Sequence, residues 1–68
     1  MKINYFEDTD TALIEFTSRE VVETREVSES VYLDLDQDGN LVSITVEHAG
    51  EKANIQDFAF ERQTKVSA

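Results

Sequence analysis

Between Val31 and Val46 the apolar residues recur at every second position, with one short polar interruption. The two runs, VYLDLD and LVSITV, are rich in β-branched residues, and alternation of period two is the mark of half-buried strands. Asp38-Gly39 lies between them, a turn dipeptide because glycine accepts positive φ and aspartate tolerates it. A two-residue loop, or a four-residue loop from Gln37 to Asn40, sets Leu35 opposite Val42, Leu33 opposite Ile44 and Val31 opposite Val46. All six then share one face. A three-residue loop would oppose Leu33 to Ser43 and spoil that face, so the pattern predicts the even loop.

The first sixteen residues repeat the logic. A four-residue loop, EDTD, places Tyr5 opposite Ala12, Ile3 opposite Ile14 and Met1 opposite Phe16, again on one face. Lys2 meets Glu15 on the other, and Phe6 points away from the apolar side. Between the hairpins a third strand is expected around Val21 to Val27. Its charged interior, ETRE, suits an edge that can also pair with another chain. After Val46 the pattern changes. EHAGEKANIQD favours a short helix or turn, although Gly50 weakens a helix, and FAFERQ alternates as a short last strand. One helix from about Glu51 to Gln63 is the rival for that segment. The expected fold is α+β, mostly β: an antiparallel meander of about five strands, with a short C-terminal helix or strand covering one face.

Length and charge narrow the picture. The chain has 68 residues and is expected to form one domain, 1–68, with a modest core and a stability of only a few kcal/mol. It has no cysteine and one histidine, which excludes disulfides and Cys/His zinc chemistry. Fifteen acidic against six basic residues give a net charge of −9. The basic residues Lys2, Arg19, Arg25, Lys52, Arg62 and Lys65 are scattered, which argues against nucleic-acid binding. The opening MKINYFEDTD has no apolar signal-peptide core, and no run reaches the roughly 20 apolar residues of a membrane helix. A cytoplasmic location and no membrane partner are expected.

The sharpest chemical motif is DLDQDGNLVSIT, which begins as an EF-hand calcium loop begins. Asp34, Asp36 and Asp38 occupy loop positions 1, 3 and 5, and Gly39 position 6. Position 12, however, is Thr45 rather than a bidentate glutamate, and strands replace the flanking helices. Turn chemistry is the expectation and no metal or cofactor is predicted; Asp34, Asp36, Asp38 and Asn40 are the only candidates for weak calcium binding. A pair of carboxylates such as Asp34 and Asp36 also suits glycosidase chemistry, but so small a domain offers little substrate cleft. His48, just past a strand end, reads as a surface or capping residue. No catalytic residue is expected.

The stretches MKINYFEDTDTALIEF and VVETREVSESVYLDLDQDGNLVSITVEHA together resemble a small bacterial family, domain of unknown function 2283. The likeness covers about Met1 to Ala49. It implies a compact β-rich domain with no settled activity, and it transfers no catalytic residue. The functional expectation is a small acidic protein-interaction module without catalysis. A homodimer, or an antitoxin-like partner of a basic protein, would be its concrete forms.

Overall fold

A computed structural model describes residues 1–53 and 59–64. Among these residues five strands form: β1 (Lys2–Phe6), β2 (Thr11–Glu15), β3 (Glu23–Ser28), β4 (Val31–Leu35) and β5 (Leu41–Glu47), followed by a four-residue helix, α1 (Ala49–Lys52). They make one open antiparallel sheet in the order β1-β2-β5-β4-β3. The protein is thus mostly β, as expected. Strands β3, β4 and β5 follow one another by tight turns, and the β1–β2 hairpin joins them through β2 on β5. Residues 16–22 therefore run past the ends of β5 and β4 to reach β3, a Greek-key connection.

The N-terminal register is the one its loop predicts, with Tyr5 opposite Ala12, Ile3 opposite Ile14 and Lys2 opposite Glu15. Glu15, however, accepts its hydrogen bond from the Asn4 amide (2.9 Å). The β2–β5 ladder then sets Ile14 against Ile44 and Ala12 against Val46. This fuses the two apolar faces into one, from Ile3 and Tyr5 on β1 to Val31 and Leu33 on β4.

In the second hairpin Leu33 pairs with Ile44 and Val31 with Val46, as expected. Leu35 does not face Val42: it pairs with Leu41, and the register shifts between Asp34 and Leu35. The loop is five residues, Asp36 to Asn40, and the extra residue is absorbed as a β-bulge at Val42. An odd loop plus one bulge restores the even count, so the apolar face survives beyond it. The Val42 carbonyl accepts from the amides of Phe16 (2.8 Å) and Thr17 (3.3 Å), which ties the start of the connection to the bulge.

Strand β3 starts two residues later than its expected position and forms an outer edge, bulged between Glu26 and Ser28. Among the described residues the core is thin. Ala12, Leu35, Val42 and Ala49 are buried, while Ile3, Ile14, Leu33, Ile44 and Val46 are only half-buried. The expected last strand does not form in residues 59–64, which are neither helix nor strand, and Phe60 is 76% exposed there. The remainder of that expected covering segment, 54–58, lies outside the described residues. Among the described residues no helix is long and apolar enough to cross a membrane.

Candidate functional site

The acidic motif divides between a strand and a turn. Asp36 follows β4 and is 6% exposed. Its Oδ1 accepts from the amides of Asp38 and Asn40, both at 2.9 Å. Its Oδ2 accepts from Nη1 of Arg19, reaching in from the Greek-key connection at 3.0 Å. The backbone closes around it: Gly39 N–H donates to Asp36 O (3.0 Å) and Asp36 N–H to Asn40 O (2.9 Å). Gly39 takes φ 81°, where a side chain is strained. These donors, the Asn40 amide first and then Arg19, hold the Asp36 carboxyl below the usual carboxylate range against the opposing effect of desolvation.

Asp34 does something separate on the polar face of β4. Its Oδ1 accepts from Thr24 Oγ1 (2.9 Å), and its Oδ2 accepts from Ser43 Oγ (2.7 Å) and Thr45 Oγ1 (3.2 Å). Strict alternation along the strand would set Asp34 and Asp36 side by side on that face. Instead the chain leaves the strand after Leu35, and Asp36 turns inward under its own loop. Asp38 and Asn40 are exposed in the turn. Thus the lone pairs of Asp34 and Asp36 face internal donors rather than each other. Among the described residues no three His, Cys, Asp or Glu side chains converge as a metal site would require.

A second acidic cluster escaped the sequence reading. In the β1–β2 turn Asp10 takes φ 53°, and His48, at the end of β5, takes φ 55°. Asp10 Oδ1 accepts from the Tyr5 hydroxyl (2.5 Å) and from the Gly50 amide (2.9 Å). Its carbonyl accepts from the Ala49 amide (2.9 Å). The first turn of the chain is thereby clasped to the corner after β5. The Tyr5 hydrogen bond, then the Gly50 amide, lowers the Asp10 pKa, and the same bond raises that of Tyr5. The available signals were an aspartate placed where glycine would usually be needed, and a glycine inside a predicted helix. His48 stands at the N-cap position without a side-chain cap, is exposed, and has Nδ1 4.0 Å from Glu51 Oε2.

Both turns nearest the β1–β2 loop lie at one end of the sheet. Antiparallel order brings the β1–β2 turn, the β3–β4 turn and the β5–α1 corner together, and Glu47 N–H donates to Ser30 O (2.7 Å) there. This end presents Glu7, Asp8, Glu29, Glu47 and Glu51, all exposed. The opposite end carries the Asp36 turn and Arg19.

Fold and side chains thus define a small acidic β protein built on one open sheet, its best-formed carboxylate sites filled by its own donors. The chain belongs to the family of proteins of unknown function designated DUF2283, whose model matches residues 2–49. No curated protein and no solved structure is significantly similar to it.

Proposed function

We propose that the protein is a non-catalytic interaction module whose acidic end receives a basic protein partner, as an antitoxin receives a toxin. The observation that carries this reading is the gathering of Glu7, Asp8, Glu29, Glu47 and Glu51 at one end, within a chain of net charge −9. Such a field attracts basic partners and speeds their association. The absence of catalysis is supported by Asp36 and Asp10, two of the carboxyls whose pKa is lowered. Their lone pairs are committed to the turns they build rather than turned toward a substrate. The calcium reading is weakened by the same commitment.

The test is capture of partners from a lysate on tagged protein, with Glu47→Lys/Glu51→Lys as control. A stoichiometric basic protein retained by the natural sequence and lost with the control supports the module. No stoichiometric partner, or one held equally by both baits, overturns it.

A further inference from the structure

The outer edge of the sheet has a sequence that complements itself. Among the described residues strand β3 has only β4 beside it, and all six of its residues are exposed. Val21, Val22 and Val27 around it are 43%, 57% and 60% exposed. An unpaired edge with exposed valines is a template for another strand, and edges are usually protected by charge. Here the charges are Glu26 on one face and, on the other, Glu23 and Arg25, which bond each other at 2.6 Å while both remain at least half exposed.

We infer that β3 pairs antiparallel with β3 of a second copy about a two-fold axis at Thr24, giving a symmetric dimer with one continuous sheet. The symmetry itself limits the register. Opposed residues in an antiparallel pair alternate between hydrogen-bonded and non-bonded positions, so an exact two-fold must pass through one residue type opposed to itself. Centring on Glu23, Arg25 or Glu26 places like charges in contact, which destabilises a cross-strand pair.

Centring on Thr24 opposes Glu23 to Arg25 of the second copy, and by symmetry does so twice. The same register sets Val21 against Val27 of the second copy at each end. On the face that carries Glu23 and Arg25 the four charges then alternate across the joint, while Glu26 on the other face stands opposite Val22 of the second copy, and backbone hydrogen bonds supply most of the attachment. The pairing places the apolar faces of the two sheets side by side. An edge of this design accepts its own copy and penalises strands of other charge pattern, so it is selective as well as adhesive. It lies on a different element from the acidic end, and the two proposals stand or fall independently.

Sedimentation equilibrium of the full chain tests it at about 100 µM, a concentration that populates small, moderate-affinity interfaces. The natural sequence is expected to sediment as a dimer. Arg25→Glu places four carboxylates on the Glu23 face of the joint and is expected to weaken dimerisation about tenfold or more. The double variant Glu23→Arg/Arg25→Glu restores opposite charges in the same register, and it should recover the dimer. All three positions of the argument are exposed, so an unchanged amide NMR dispersion will confirm that each variant folds. A monomeric natural sequence overturns the inference. So does a dimer indifferent to Arg25→Glu, or one that the double variant fails to restore.

Discussion

Two turns at opposite ends of the sheet are both built around one aspartate, and they are built in opposite ways. Asp36 takes two of its three donors from amides two and four residues further on. Asp10 takes its donors from Tyr5 across the hairpin and from Gly50, forty residues away. The first is an Asx-type turn that the local chain can form before anything else has folded. The second exists only once β5 lies beside β2 and delivers the corner after Glu47 to the first turn. One turn helps make the sheet, and the other reports that the sheet has been made.

The largest effect should come from Asp36→Ala. It removes the acceptor of two amides and of Arg19, and so loosens the turn and the Greek-key connection together. Thermal unfolding is expected to shift further than for Asp10→Ala, and the Arg19 side-chain resonances should lose their dispersion. Equal shifts would mean that the local turn has no special weight.

Acid should act on both turns with the same sign. Each carboxyl has a folded pKa below its unfolded value of about 3.9. Its stabilisation is therefore fully present above that value and is lost as pH falls through the folded one. The urea midpoint, followed from about pH 6 to about pH 3, should decline, and Asp36→Asn should flatten the decline. A slope unchanged by that substitution would remove Asp36 from the acid response.

How much of this could be read in the chain follows the same division. The alternation in TALIE and LVSITV identified the strands and five of the hairpin pairings, because a period of two is a local property. Asp38-Gly39 located a turn for the same reason, and the edge character of β3 followed from ETRE. The pairing of β2 with β5 was not legible, since either hairpin could have docked by another strand with the same apolar face. The Val42 bulge was missed because the even-loop rule counts residues and cannot know that Asp36 will gather two amides. The clasp at Asp10 was hidden most deeply, as it depends on the strand order itself.

A smaller effect separates strain from contact within the Asp36 turn. Gly39 has φ 81°, but a Cβ added there meets nothing within 4 Å. Gly39→Ala should therefore cost only the left-handed backbone term, about 1–2 kcal/mol by urea denaturation. A much larger loss would show that the turn is sterically closed.

The long-range turn offers the finest test, because its glycine is constrained by contact rather than by φ. A Cβ on Gly50 would stand 2.9 Å from Asp10 Oδ1, the oxygen that Tyr5 and the Gly50 amide already hold. Gly50→Ala is thus expected to destabilise the natural sequence by displacing that carboxylate. In an Asp10→Ala background the obstruction is gone, and alanine within α1 should instead gain up to about 1 kcal/mol of helix propensity. The sign of one substitution then depends on a residue forty positions away, which a double-mutant cycle reads directly as coupling. Additive effects would mean that the clasp joins the two ends of the fold in geometry without linking them in energy.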